Sequence, residues 1–125
     1  MKKPFGYSLL VDCWGCGIGT CDDLELHYRF LEGLVKELGM TPMSAPVVMH
    51  TPTDEDGYEL FPEKAGVSGW QPLIESGIQI HSLEPTHFMT LDVYSCNNFT
   101  EDQVLPMVRS YFRTMEIKKH FIVRG

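Results

Sequence analysis

Two amphipathic helical stretches set among short runs of aromatic and branched residues point to an α/β (α+β) chain folded as a two-layer sandwich: a mainly antiparallel sheet with both helices on one face. Length agrees, because 125 residues can bury one real core but not two independent ones. Residues 1–125 are therefore expected to form a single domain, and no repeat, linker or low-complexity segment divides them.

Gly6 to Trp14 reads as a buried strand in which Ser8 and Asp12 are the polar positions, followed by a glycine-rich turn from Gly15 to Thr20. Asp22-Asp23 supplies N-cap chemistry for a helix. Its apolar positions Leu24, Leu26, Tyr28, Phe30, Leu31, Leu34, Val35 and Leu38 include the 3.6-residue pattern, and Gly39 stops it. Met43 to His50 is a second strand, which Pro42 and Pro46 make late-starting or an edge. Thr51 to Gly57 is a polar, acidic loop. Gly66 to Ile74 is extended, and Gly77 to His81 alternates with period two, which puts Ser76 at a junction between strands. Phe88 to Tyr94 follows as a strand. Thr100 then caps a helix with Glu101 and Asp102 in its first turn and an apolar face of Val104, Met107, Val108, Tyr111 and Phe112. Pro106 is expected to kink or shorten that helix. His120 to Val123 is a terminal strand.

Ten basic and seventeen acidic side chains give a formal charge of −7, the wrong sign for a nucleic-acid binder and a favourable one for a small cationic substrate. No apolar run is long enough to cross a bilayer. The start, Met1-Lys2-Lys3-Pro4, leads into an apolar stretch that Asp12 interrupts too early for a secretory signal, so a cytoplasmic location is expected. Four cysteines in such a chain read as thiols or ligands rather than a disulfide framework. Cys13, Cys16 and Cys21 form a C-x2-C-x4-C group, but no second ligand pair completes a zinc set. They are expected to be packing residues, with no metal bound, although a thiol-rich metal or redox module is an alternative.

Glu75-Ser76 carries more chemistry, since a serine that attacks its own preceding carbonyl can cleave the backbone and leave a pyruvoyl group, an electron sink made from protein alone. Four residues near it in sequence or able to converge on it are Glu75, Ser68, His81 and Cys96. Taken singly, each is an ordinary strand residue.

Together they carry a resemblance. Gly66-Val67-Ser68-Gly69, Glu75-Ser76, Ile80-His81 and Leu91-Asp92-Val93-Tyr94-Ser95-Cys96 stand in register with the prokaryotic type of pyruvoyl-dependent S-adenosylmethionine decarboxylase, without a gap from Gly66 to Cys96. Looser similarity covers Trp14-Gly15-Cys16, the first helix and Val123-Arg124-Gly125. The resemblance implies an autocatalytic zymogen of spermidine and other polyamine biosynthesis that splits into residues 1–75 (β chain) and 76–125 (α chain). Ser76 would become the pyruvoyl cofactor, with His81 the base for elimination and Ser68 a hydrogen-bonding stabiliser of the tetrahedral species. The pyruvoyl ketone would form a Schiff base with the substrate amine. Cys96 would then protonate the α-carbon; an ordinary thiol, with a pKa of about 8.5, is mostly protonated at neutral pH. The resemblance also implies a homodimer with active sites at the subunit interface.

Substrate recognition departs from the family pattern. Where relatives carry Thr-Trp-Pro-Glu after the histidine, this chain has Ser82-Leu83-Glu84-Pro85, and Gly77 stands where a histidine is usual. Leu83 and Glu84 are thus the matching substrate-binding positions, with Phe61, Trp70 or Tyr58 available as a replacement ring. Losing the stacked aromatic costs about 0.5–1.5 kcal/mol beyond area burial, which weakens adenosine binding without forbidding it. S-adenosylmethionine is the expected substrate, with arginine or ornithine as alternatives on the same scaffold. A non-processing homologue serving as a binding or regulatory subunit is a further alternative. Asp12 and Asp92 are positions at which an activator is expected to bind if one exists.

Overall fold

The computed structural model describes residues 3–125; Met1 and Lys2, cited above for the N-terminus, lie outside them. Six strands, β1 (Gly6–Trp14), β2 (Val47–His50), β3 (Val67–Pro72), β4 (Ser76–Leu83), β5 (Phe88–Ser95) and β6 (Glu116–Arg124), form one sheet in the order β2-β3-β4-β5-β1-β6. All neighbouring pairs are antiparallel. Helices α1 (Leu24–Leu38) and α2 (Glu101–Phe112) cover one face, and short 3₁₀ turns occupy Thr20–Asp22 and Pro62–Lys64. The expected two-layer sandwich is the fold observed.

Period-two alternation decides what lies under the helices. Leu9, Val11 and Cys13 of β1, Ile78 and Ile80 of β4, and Met89, Leu91 and Val93 of β5 are all buried there. Phe30, Leu31 and Leu34 of α1 and Val104, Val108 and Phe112 of α2 fill the layer from above. Phe30 meets Tyr111 and Phe112 edge-on at 5.4 and 5.2 Å between ring centroids, locking the helices together. Burying each such side chain contributes about 1.5–3 kcal/mol.

Asp23 caps α1 by accepting the Leu26 N–H, and Gly39 ends it in the left-handed conformation with φ 65°. At α2 the Thr100 N–H donates to Gln103 Oε1 at 2.9 Å. The helix runs through Pro106 to Phe112, contrary to the expected shortening. The carbonyl that Pro106 deprives of a donor is that of Asp102, an exposed first-turn residue whose carbonyl water can reach. Strand β2 begins at Val47, after Pro46, and lies at the sheet edge, as the prolines require. Strand β6 runs from Glu116, longer than expected, because it pairs with β1 along its whole length while its exposed edge position leaves little hydrophobic alternation to read.

The second face of the sheet carries no helix. It presents Ser8, Leu10 and Asp12 of β1, Ser68 and Trp70 of β3, Gln79 and His81 of β4, and Thr90, Asp92 and Tyr94 of β5, by alternation with the buried set.

Candidate active site

Leu73 and Ser76 close a two-residue hairpin between β3 and β4: the Leu73 N–H donates to the Ser76 carbonyl at 3.0 Å and the Ser76 N–H returns to the Leu73 carbonyl at 3.2 Å. Ile74 and Glu75 are the tip, so the Glu75–Ser76 peptide bond sits where a turn becomes a strand. The tip is held from outside. Ile74 N–H donates to the Thr41 carbonyl at 2.9 Å, and the Glu75 carboxylate accepts the Thr41 N–H at 2.8 Å and the Thr41 hydroxyl at 3.1 Å. The Thr41 backbone donor, first among the causes, holds the Glu75 carboxyl below the usual carboxylate range.

The Glu75 carbonyl oxygen is the focus of the site. It accepts the backbone N–H of Cys96 at 3.0 Å, and the Ser76 hydroxyl donates to it. Cys96 follows the end of β5 with its side chain exposed and unpaired in a disulfide. Its backbone is fixed by β1: a Cβ built on Gly6 would stand 2.5 Å from the Ser95 carbonyl oxygen and 3.0 Å from Cys96 Cα, so only glycine lets the strands approach here. Ser76, Trp70, Gln79, Asp92 and Tyr94 line one open groove of about 640 Å³. Although its side chain is exposed, partial desolvation in the groove, aided by the negative charge of Asp12, pushes the Asp92 carboxyl up. Arg124 lies 4.5 Å from the centroid of the Tyr94 ring.

Ser68 and His81 form a separate pair. They are direct cross-strand partners on β3 and β4, and Ser68 Oγ lies 2.9 Å from His81 Nδ1. Five steps of continuous strand lead from Ser76 to His81, about 16 Å at the rise of an extended chain. Within one chain the expected quartet is thus two groups, Ser76 with Cys96 and Ser68 with His81. The spacing was legible, but its consequence depends on β4 being unbroken, which puts the serine and the histidine at opposite ends of one strand.

The substrate-binding expectations divide similarly. Trp70 lines the groove with Ser76. Leu83 pairs with Phe88 at the far end of β4, beyond His81. The Glu84 carboxylate is occupied, accepting the Gly19 N–H at 2.9 Å and the Cys21 N–H at 3.1 Å, and so clamps the turn before α1 rather than facing the groove. Phe61 lines a different hollow of about 240 Å³ with Leu60 and Pro62.

Two contributors had no sequence signal. Thr41 reaches Glu75 across 34 positions of chain, and the Cys96 N–H is a backbone group that only strand pairing can aim. His27, unclaimed from sequence, is fully buried: its Nδ1 lies 2.7 Å from the Asp23 carbonyl and its Nε2 2.7 Å from Ser82 Oγ. Burial holds its pKa down despite the Asp23 carbonyl. It bridges α1 to the strand residue next to His81.

Cys13, Cys16 and Cys21 are buried and unpaired. Burial first, then the neighbouring Cys16, pushes Cys13 up to about 12, and a hydrogen bond with Cys16 raises Cys21. Among the described residues the three sulfurs do not gather within 4.8 Å of one another, as a ligand set would. No helix among these residues is long and apolar enough to cross a membrane.

The model of the S-adenosylmethionine decarboxylase family matches residues 7–125. Curated relatives called S-adenosylmethionine decarboxylase proenzyme include one from Methanococcus vannielii, 24% identical over 98% of this chain and 92% of the relative, and one from Thermoplasma volcanium, 27% identical over 100% and 88%. A third, from Aquifex aeolicus, is 31% identical over 78% of this chain and 64% of its own length. The crystal structure of the adenosylmethionine decarboxylase from Aquifex aeolicus superimposes with a TM-score of 0.80, covering 99% of this chain and 93% of that one at 24% identity.

Proposed function

From its place in the S-adenosylmethionine decarboxylase family, to which the chain belongs, we propose that it is a proenzyme that cleaves its own Glu75–Ser76 bond, makes a pyruvoyl group from Ser76 and decarboxylates S-adenosylmethionine in polyamine biosynthesis. The observation that carries this reading is the Glu75 carbonyl. Its oxygen already takes the Cys96 N–H and lies against the Ser76 hydroxyl, so both a donor for negative charge and the nucleophile are beside the bond to be broken.

Attack of Ser76 Oγ on the Glu75 carbonyl carbon moves negative charge onto the oxygen that Cys96 N–H holds. The Glu75 carbon–nitrogen bond then breaks, the Ser76 nitrogen takes a proton, and an ester links the two residues. Removal of the Ser76 Cα proton by a base expels the Glu75 carboxylate from Cβ. The resulting enamine becomes an imine, and water releases ammonia to leave the ketone. Residues 1–75 keep their new terminus in place through the Thr41 bonds to the Glu75 side chain. When formed, the pyruvoyl group supplies the electron sink for loss of carbon dioxide. Asp92 in the groove offers a negative group to a cationic substrate, Trp70 and Tyr94 offer ring faces, and the Cys96 thiol is the proton donor to the α-carbon.

His81, paired with Ser68, is the elimination base, but not for the serine of its own strand. Its distance from Ser76 argues that the working protein is a homodimer in which two open sheet faces meet. In such an isologous pair, Ser76 and Cys96 of one subunit face Ser68 and His81 of the other, giving two equivalent sites. The face is suited to this, with Trp70 exposed and Leu10, Thr90 and Tyr94 half-buried without a partner layer. Leu83, two residues along the strand from His81, then belongs to the half-site of the partner subunit. Four free cysteines fit a cytoplasmic enzyme.

Release of labelled carbon dioxide from carboxyl-labelled S-adenosylmethionine, arginine and ornithine tests the substrate. Release from S-adenosylmethionine alone is expected; release from arginine or ornithine alone contradicts the reading. The similarities to proenzymes of the S-adenosylmethionine type favour neither that alternative nor a non-processing subunit.

A further inference from the structure

Away from the Glu75–Ser76 hairpin, three residues from separate segments converge: Asp22 in the 3₁₀ turn before α1, His50 at the end of β2, and Glu59 in the loop that leads toward β3. Their ligand atoms all lie within 4.8 Å of one another. His50 Nε2 is 2.5 Å from Asp22 Oδ1 and 3.6 Å from Glu59 Oε1.

The other ring nitrogen decides the chemistry. His50 Nδ1 lies 2.7 Å from the Thr51 carbonyl oxygen, which can only accept, so Nδ1 carries the proton. In the neutral ring the lone pair of Nε2 then faces two carboxylate oxygens, a donor set that a cation can gather. A protonated ring would pair with Asp22 at 2.5 Å and with Glu59 at 3.6 Å, and a divalent ion can take the place of that proton among the same three groups. A metal ion takes all three. Glu59 is oriented for it, because the Thr51 hydroxyl donates to its second oxygen, Oε2, at 3.1 Å. One residue, Thr51, thus braces two ligands, which is how metal-binding histidines and carboxylates are commonly held.

We propose that Asp22, His50 and Glu59 form a binding site for a divalent transition-metal ion of the zinc type, which pins the 51–59 loop to the turn before α1. One nitrogen and two carboxylate oxygens suit such an ion, and the partial exposure of all three side chains, 43%, 28% and 26%, leaves a position for water. Neighbouring ligands on a tetrahedral zinc stand about 3.3 Å apart, so the His50–Glu59 separation fits and the His50–Asp22 pair opens by about 1 Å. Asp22, the most exposed, supplies that by side-chain rotation. The site is structural: Thr51 also accepts the Gly66 N–H at 3.2 Å through its hydroxyl, so the pinned loop is continuous with the entry to β3 and Ser68.

The test is calorimetric titration of the metal-free, untagged full chain with Zn²⁺, together with the visible spectrum of the Co²⁺-loaded protein and melting with and without Zn²⁺. Expected are one equivalent per chain, a Co²⁺ spectrum without thiolate charge transfer, and a melting temperature that rises with Zn²⁺. His50→Gln and Glu59→Gln should each weaken binding by about tenfold or more, with circular dichroism of the metal-free variants confirming that they fold. Absence of binding by the unmodified chain, binding equally tight in both variants, or a thiolate signature from Cys13, Cys16 or Cys21 overturns the proposal.

Discussion

The Ser76–Cys96 end of the open face and the Ser68–His81 pair are built by different physics. The first depends on backbone: a two-residue hairpin, a strand-to-strand N–H, a glycine that permits close approach, and a remote threonine that anchors the tip. The second depends on register alone, two side chains set opposite each other by the pairing of β3 with β4. On the proposed reading, one holds the bond to be broken and the other the base, about 16 Å away along β4, so that a second copy of the chain would complete the site.

The largest effect expected is from Ser76→Ala, which removes the nucleophile: cleavage and decarboxylation should both vanish, as read by gel and by carbon dioxide release, while the fold persists. Cleavage in this variant moves the site elsewhere. Next, His81→Ala and Ser76→Ala should each be inactive alone, yet their mixed dimer should regain one working site, because one subunit keeps the serine and the other keeps the histidine. Failure of co-expressed variants to regain any processing breaks the division into half-sites across two chains.

Cys96→Ala separates backbone from side chain within the first region. The N–H to the Glu75 carbonyl survives, so processing should continue, whereas turnover should fall by about 10²–10⁴-fold with loss of the proton donor. Equal loss of both would mean that the thiol, not the amide, serves maturation.

The smallest effect concerns the support beneath the second region. His27 is buried neutral and its pKa is lowered, chiefly by burial, so the unfolded chain takes up its proton first as pH falls. Its contribution to stability is therefore whole above the unfolded range near 6.5 and declines as pH drops through that range toward the lowered folded value. His27→Gln should cost about 1–3 kcal/mol at neutral pH and should flatten this part of the stability curve, read from urea melts between neutral and mildly acid pH. An unchanged acid slope would assign it to other groups.

Much of this was legible in the sequence. Period two in Gly77–His81 and the apolar stripe of α1 follow from local chemistry, as do the caps at Asp23 and Gly39, so the sheet, the helices and the Ser76 junction could be read directly. Ser68 opposite His81 follows only once the two-residue turn at Ile74 and Glu75 is known, which the junction at Ser76 did not specify. What could not be read depends on tertiary placement: Thr41 on Glu75, the Cys96 amide on the Glu75 carbonyl, and the capture of the Glu84 carboxylate by the Gly19 and Cys21 amides. Glu84 resembles a displaced substrate ligand by position, but two backbone donors compete for its charge. Pro106 misled in the other direction, since the carbonyl it orphans is exposed to solvent.

Intact mass spectrometry of the purified, incubated chain tests the central claim most directly. Self-cleavage at Glu75–Ser76 predicts two polypeptides, residues 1–75 and 76–125, whose masses together equal the intact chain plus one water minus one ammonia, with the second blocked at its N-terminus by a ketone. A single full-length species, or two fragments summing to the intact chain plus one water, contradicts it.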